Sequence, residues 1–240
     1  MALVVAVGGD GTLNEVVNGV TDESGHAQAT LGAVLTGRGR DGCRALGLPR
    51  DPFRAASRLV EGSLVSLDLG LAQWPGGRRF FVNAAGAGFD ATVAARAAGL
   101  GGSGTVPYLR AVLASLREYR PVEGTVLRDG ERYASGALAG VVVGNGAHFG
   151  GGMKIAPGAD PGDGALDVVV LGALSRGELL AWLPTIYWGG HLRNRKVGLA
   201  RARHVLIETQ PPMAVEVDGE PCGQTPLDVR VCPGALRVRA

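Results

Sequence analysis

Three short runs of the chain combine residue types that can do chemistry. The first is Gly8-Gly9-Asp10-Gly11-Thr12, which follows the apolar run 3–7 directly. Glycines let backbone amides approach an anion with no Cβ in the way, and a strand that turns into a helix through such a loop points free amides outward. Asp10 would repel phosphate unless a cation or donor stands between. One reading gives it a hydroxyl or a magnesium shell; the other makes it a local cap in a left-handed turn. The second run is Asp218-Gly219-Glu220, two carboxylates at a hairpin signal. Asp129-Gly130-Glu131 repeats that tripeptide, so spacing leaves open which of the two, or whether both, is only a turn. The third is Asp160, Asp163 and Asp167 around Gly162 and Gly164. Crowded carboxylates and carbonyls suit a hard cation, and a plain Pro-Gly-Asp-Gly turn explains them too.

The elements that must hold these runs can be read in outline. Residues 3–7 form a buried strand, and Leu13, Val16, Val17 and Val20 share one face of the helix after the glycine loop. Thr12 and Glu15 have the spacing of a capping box for that helix. Residues 31–35 read as the next strand. Asp51-Pro52 opens another helix, and Gly62 closes it. After about residue 64, strands are expected at 64–69, 79–83, 124–128, 138–143, 166–171, 203–209, 214–217, 227–231 and 235–238. Helices interrupt them at about 106–119 and 175–191, the second with a Ser175/Glu178 capping box and a break at Pro184. The expected fold class is therefore α/β plus β: an α/β front piece (1–64) and a larger β-rich domain of the sandwich type (65–240).

Composition narrows the function classes. Twenty-four basic and 22 acidic residues give a net charge of +2, too balanced for affinity built on phosphate neutralisation, so nucleic acid is not an expected partner. No apolar run reaches the ~18 residues of a membrane span, and no basic, apolar leader opens the sequence. Cys43, Cys222 and Cys232 form no CxxC pair, which fits a reducing cytoplasm. Forty glycines, clustered at 8–11, 99–104, 144–152 and 158–164, mark tight turns or close backbone approach. The basic stretch His191, Arg193, Arg195, Lys196, Arg201, Arg203 and His204 suits an anionic membrane surface or a solvated face. For Trp182, Tyr187 and Trp188 core packing is the default and interfacial anchoring the alternative.

With these residues in view, the chain resembles the diacylglycerol kinase catalytic-domain family, which includes sphingosine kinases and bacterial lipid kinases. GGDGT with Asn14-Glu15 resembles its nucleotide-binding signature. GGDG alone is shared with NAD kinases and phosphofructokinases. FVNAAGAGF at 81–89 looks like the opening of the family's second domain, and 141–169, ending in DGALDVV, is similar to its most distinctive block. Gly190-His191 and Asp218-Gly219-Glu220 match later landmarks. The resemblance runs along essentially the whole chain and is nearest the bacterial branch. It implies a Rossmann-like, NAD kinase-like front domain, here incomplete, followed by a β-sandwich-type domain.

It further implies ATP and Mg²⁺ as cofactors, with Gly8, Gly9, Asp10, Gly11, Thr12, Asn14, Gly37, Arg38 and Asp41 on the nucleotide. It picks the later DGE turn, with Glu220 as general base and Asp218 beside it. It places a structural magnesium on the Asp163 side chain and the carbonyls of Asp160 and Ala165. The implied reaction moves the ATP γ-phosphate to the primary hydroxyl of diacylglycerol, giving phosphatidic acid, at the inner membrane face; a homodimer is compatible. A sphingoid base or a glycolipid precursor are rival acceptors, and a catalytically weak remnant that binds lipid or nucleotide is a rival class. NAD kinase is disfavoured because no TPTGSTAY-type segment occurs.

Two departures bear on this. Family members carry a strand, a phosphate loop and more sheet ahead of GGDGT, whereas GGDGT begins here at residue 8, so a truncation or a misassigned start is expected, with an unpaired edge on the first strand. The second nucleotide loop, G-T-x-N-D-F-A-R in the family, reads Gly37-Arg38-Gly39-Arg40-Asp41-Gly42-Cys43-Arg44. Arginines there could pair with phosphate as a fork or block the cleft.

Overall fold

A computed structural model describes residues 2–37, 39–99 and 105–240. Arg38 and the glycines at 101, 102 and 104 lie outside them. The chain begins with β1 (Leu3–Gly8), α1 (Asp10–Val20), β2 (Thr30–Leu35), α2 (Asp41–Ala45) and α3 (Pro52–Glu61). It continues with β3 (Leu64–Trp74), β4 (Gly77–Phe81), β5 (Ala84–Gly88), α4 (Phe89–Gly99) and α5 (Thr105–Glu118). Then come β6 (Val122–Arg128), β7 (Glu131–Gly144), β8 (Leu166–Gly172) and α6 (Arg176–Trp182). The last strands are β9 (Val197–Ala202), β10 (His204–Gln210), β11 (Ala214–Val217), β12 (Glu220–Gln224) and β13 (Leu227–Arg239).

In the front layer β1 runs parallel to β2, with Leu3 opposite Thr30 and Gly8 opposite Leu35. The β2 sequence TLGAVL is buried along nearly its whole length, as parallel strands are when both faces are covered. Among the described residues β1 pairs with β2 alone and ends the sheet, and Leu3, Val5 and Val7 remain exposed. The back layer is an antiparallel run, β10-β6-β7-β5-β11-β12, with β8 and β9 hanging from β7.

The two layers are joined by strands that serve both. β13 pairs antiparallel with β3 along most of its length, and its far end pairs parallel with β2. Its register shifts between Cys232 and Leu236, so the two strands expected at 227–231 and 235–238 are one strand with an irregularity. Leu227 and Val229 pack in the back core with Phe81, Val126 and Val205; Leu236 and Val238 pack in the front core with Leu13, Val17 and Leu31. Each such side chain buried contributes about 1.5–3 kcal/mol, so neither core is independent of β13.

Several local expectations hold. Asp51 caps α3 by accepting from the Arg54 amide, Gly62 ends it, and Ser175 and Glu178 form a reciprocal capping box on α6. Pro184 stops α6, and the chain goes on as 3₁₀ turns over Leu183–Trp188 and Gly190–Arg193. The Thr12/Glu15 capping box does not form: α1 starts earlier, at Asp10 after Gly9, with no side-chain cap. Elements not anticipated are α2, β5, α4, β9 and β12. β5 reads AAGAG, five small buried residues with no alternation to betray a strand.

Candidate active site

Because α1 starts at Asp10, Gly11 and Thr12 fall in its first turn, where amides have no intrahelical partner. The loop before it is pinned to the next strand's end: the amides of Thr36 and Gly37 both donate to the Gly8 carbonyl, at 2.7 and 3.3 Å. Gly37 and Gly9 lie backbone to backbone; a Cβ on Gly37 would stand 2.9 Å from the Gly9 Cα. Two glycine loops thus form one small shelf at a helix N-terminus, the geometry that cradles phosphate.

Asp10 does not face that shelf. Its carboxylate accepts from the Arg40 amide and the Gly42 amide, both at 2.9 Å, and so caps the start of α2 in the second loop. This cap is not the local one of a left-handed turn: Asp10 opens α1 and reaches across to another loop. The Arg40 side chain is held by backbone acceptors. Its guanidinium donates to the carbonyls of Gly37 and Arg50, at 2.8 and 2.7 Å. Asp41 is buried and accepts from the amides of Gly151 and Gly152, with Arg44 as its ion-pair partner. Burial raises the pKa of its carboxyl against those bonds. Asp41 therefore ties the second loop to the glycine-rich loop of the back layer.

Asn14 has a similar bridging place. It is buried, its amide donates to the Phe80 carbonyl and to Asp218 Oδ2, at 2.9 and 2.8 Å, and its Oδ1 accepts from Arg79 Nε at 2.5 Å. The resemblance had placed it on the nucleotide; in the fold its side chain holds the acidic turn against α1.

The two DGE tripeptides have the same backbone. Asp129 and Gly130 have φ 50 and 85°, Asp218 and Gly219 φ 49 and 85°, the left-handed pair of a two-residue hairpin turn. Their surroundings separate them. Asp129 is exposed and accepts from the amides of Arg203 and His204. Asp218 accepts from the amides of Val82, Asn83 and Ala84, at 2.9 to 3.1 Å, as well as from Asn14. Burial raises its pKa, and these four donors oppose that by favouring the carboxylate. This anchor carries the next residue but one, Glu220, to the glycine shelf, with its Oε1 3.6 Å from the place a Cβ on Gly11 would take. Glu220 itself is exposed to the cleft.

The cleft at Glu220 is lined by Gly219, Glu216, Asp90, Ala94, Phe149 and Met153. Asp90, Phe149 and Met153 also line a deeper, apolar cavity walled by Val93, Val112, Leu171, Leu179, Trp182 and Ile186. His191 lines this cavity too. It is buried, its Nε2 lies 2.9 Å from the Ile155 carbonyl, and burial lowers its pKa, so it is a neutral wall residue and not part of a basic surface. Half of the rest of that basic stretch is ion-paired: Lys196 with Glu178, Arg201 with Asp163, His204 with Asp228. Trp182 is half-buried in the cavity wall, while Tyr187 and Trp188, 55% and 66% exposed, are not core residues.

At the turn 160–167 the carboxylates of Asp160 and Asp163 are engaged by protein donors. Asp163 Oδ2 is ion-paired to Arg201 and its Oδ1 accepts from the Ala165 amide. Asp160 Oδ1 accepts from the Gly162 amide. The buried Asp68 holds the turn from beneath, accepting from the Gly164 amide at 2.7 Å. No cluster of three or more His, Cys, Asp or Glu able to hold a metal occurs among the described residues. With a guanidinium on the one carboxylate implied as a ligand, this donor set does not fit a cation.

Sequence reasoning missed Asp90, Glu216 and the apolar cavity. Glu216 alternates with Val215 and Val217, which predicts a solvent-facing acid; α4 packs over that face instead and leaves Glu216 1% exposed. A charged residue in a short strand just before the DGE turn was the available signal.

The fold recurs in solved structures. Yeast NADH kinase complexed with NADH is 13% identical and aligns with a TM-score of 0.55 over 99% of this chain and 60% of that one, a likeness of fold alone. The architecture is thus NAD kinase-like, with a β-sandwich-like second part. A diacylglycerol kinase from Bacillus anthracis aligns with a TM-score of 0.75 at 26% identity, over 98% of this chain and 76% of that one. Residues 1–72 match the diacylglycerol kinase catalytic domain, and residues 83–240 the YegS C-terminal NAD kinase beta sandwich-like domain. A Mycobacterium tuberculosis protein named diacylglycerol kinase is 34% identical over 98% of this chain and 75% of its own length. A Pseudomonas aeruginosa protein named "Probable lipid kinase YegS-like" is 32% identical over 99% and 76%. The chain belongs to this family of diacylglycerol kinase-type and YegS-like lipid kinases.

Proposed function

We propose that the chain transfers the γ-phosphate of ATP to the primary hydroxyl of diacylglycerol, giving phosphatidic acid. One observation carries the reading: Glu220 stands between a glycine shelf at a helix N-terminus and the mouth of an apolar cavity. The shelf suits phosphate and the cavity suits acyl chains. A carboxylate between them suits proton uptake from a lipid hydroxyl.

In the step that follows, the hydroxyl oxygen attacks the γ-phosphorus in line. A new O–P bond forms, the bond from that phosphorus to the bridging oxygen breaks, and ADP leaves. The hydroxyl proton goes to Glu220 and then to solvent. The amides of Gly9, Gly11 and Thr12, with Gly37, hold the phosphates. Asp218 and Asn14 position Glu220. Mg²⁺ brought in with ATP would supply charge neutralisation at the phosphates. The acceptor reaches the site from a bilayer: Leu180, Tyr187 and Trp188 are exposed on the segment whose inner side walls the cavity, with Arg193 and Arg195 exposed beside them.

The test is label transfer from γ-labelled ATP to diacylglycerol in mixed micelles, with Mg²⁺, by the native chain and by Glu220→Ala. Loss of a general base lowers kcat by about 10²–10⁴-fold. Label in phosphatidic acid that persists undiminished in the variant would refute the assignment of Glu220. Label in sphingosine but not in diacylglycerol would replace the acceptor.

A further inference from the structure

On the side of the back layer where β8 hangs from β7, β7 outruns its neighbour. It starts at Glu131, but β8 joins it only from Leu138, which stands opposite Gly172, the last residue of β8. Along 131–137 the backbone groups that point away from β6 have no strand partner among the described residues. The chain returns to this point at Lys196, whose carbonyl accepts from the Gly172 amide at 2.8 Å. A notch is left in the sheet between β7, the end of β8 and the start of β9.

The side chains that reach the notch are donors. Tyr133 extends from β7 to β9: a Cβ on Gly198 would stand 2.8 Å from its hydroxyl oxygen, so the glycine leaves that hydroxyl its place. Tyr133 is half-buried and its hydroxyl keeps contact with solvent; Ser135 and Arg195, which line the same notch, are exposed. Neither hydroxyl, nor the Arg195 guanidinium, has a hydrogen bond or ion pair among the described residues. Arg128 on β6 lies over the Tyr133 ring, 5.5 Å from its centroid, and brings a second guanidinium. Lys196 is committed to Glu178, and no Asp or Glu lines the notch.

A concave site with unneutralised guanidinium charge, hydroxyl donors and no carboxylate attracts an anion. The number of donors says which kind. A carboxylate or a phosphodiester offers two terminal oxygens, whereas a phosphomonoester offers three, with a charge of about −1.5 to −2 at pH 7. Three oxygens can engage the Arg195 fork and both hydroxyls together.

We propose that this notch is an anion site for a phosphomonoester, held by Arg195, Tyr133 and Ser135, with Arg128 adding to the positive field. It shares no lining residue with the Glu220 cleft, and the inference does not rest on the kinase reading. The group can arrive as free phosphate or as the head of a lipid such as phosphatidic acid.

Two probes separate those sources. Radiolabelled inorganic phosphate is measured by equilibrium dialysis. Dihexanoyl phosphatidic acid, as monomer, is titrated calorimetrically beside dihexanoyl phosphatidylcholine, a phosphodiester. Each is run on the native chain, on Arg195→Ala and on Tyr133→Phe. Loss of a charge-assisted hydrogen bond should weaken binding about tenfold or more in Arg195→Ala, and loss of the hydroxyl about fivefold in Tyr133→Phe. Arg195 is exposed and phenylalanine keeps the ring that packs on the back core, so both variants should fold; urea midpoints check this. Phosphate held at the glycine shelf persists in both variants, so the notch is read as the binding they remove. Phosphate alone, phosphatidic acid alone, or the two together, weakened in both variants, each sustains the site and names its source. No binding of either probe, or binding that either variant leaves intact, overturns it. So does phosphatidylcholine bound as tightly as phosphatidic acid. No readout uses phosphoryl transfer, so the outcome is independent of whether the chain is an active kinase.

Discussion

The repeated Asp-Gly-Glu turn supplies an internal control for what anchoring Asp218 is worth. Asp218→Ala and Asp129→Ala remove the same side chain from the same left-handed backbone, so the conformational penalty of alanine at positive φ, about 1 kcal/mol, is common to both. What differs is the set of stranded donors. Asp218 leaves three backbone amides and the Asn14 amide without an acceptor. Asp129 leaves two amides that lie at the surface and can turn to water. A hydrogen bond to a charged acceptor contributes about 1.5–3 kcal/mol, and some of that returns because Asp218 is half-buried and water can enter. We expect Asp218→Ala to lose about 3–5 kcal/mol and Asp129→Ala about 1–2, a gap of ~2 kcal/mol or more. Urea unfolding of the three chains under one set of conditions measures it. Midpoints for the two variants within about 0.5 kcal/mol of each other would refute the view that tertiary anchoring distinguishes the turns. Kinase activity is a second readout. Asp218→Ala should lower kcat by freeing Glu220, and Asp129→Ala should leave it unchanged.

Three further outcomes are expected. Burial first, and the Asp90 charge second, push the Glu216 pKa well up, so the native state holds a proton that the unfolded chain releases above its ordinary value near 4.5. That contribution to stability is full at lower pH and fades as pH rises toward the native-state value. Glu216→Gln cannot titrate, so its Tm relative to the native chain should climb from pH 5 to pH 8; a constant difference would count against a protonated Glu216. Gly37→Ala puts a Cβ 2.9 Å from the Gly9 Cα and must part the two glycine loops, so KM for ATP should rise several-fold with little change in KM for lipid. A parallel rise in both would show that the damage is not local to the shelf. Tyr187→Ala with Trp188→Ala should weaken sedimentation with vesicles of anionic lipid while sparing activity on a short-chain acceptor in solution; unchanged sedimentation would move the membrane-facing surface elsewhere.

Much of this chain is legible in the order of its residues because the signals are local. Strand-to-helix passage at 8–12, the Asp51-Pro52 start, the Ser175/Glu178 box and the Pro184 break depend on neighbours within a few positions, and each element lies close to where those neighbours put it. The GGDGT loop and the DGE turn are equally local, and they identify the family by composition and order. The rest is set by contacts between distant segments. The tripeptide and its backbone do not distinguish Asp218 from Asp129; the amides of 82–84 and the Asn14 side chain do, and they come from over 130 positions away. Asp10 and Asp41 look like phosphate-side acids in sequence, yet the amides of Arg40, Gly42, Gly151 and Gly152 claim them once the loops meet. Glu216 has the alternation of a surface residue, and only the packing of α4 across β11 buries it beside Asp90. Local pattern determines which element forms, because backbone propensity acts over a turn or a strand pair. The charge and hydrogen bonding of a side chain follow from what finally lies opposite it, and that is decided by the tertiary fold.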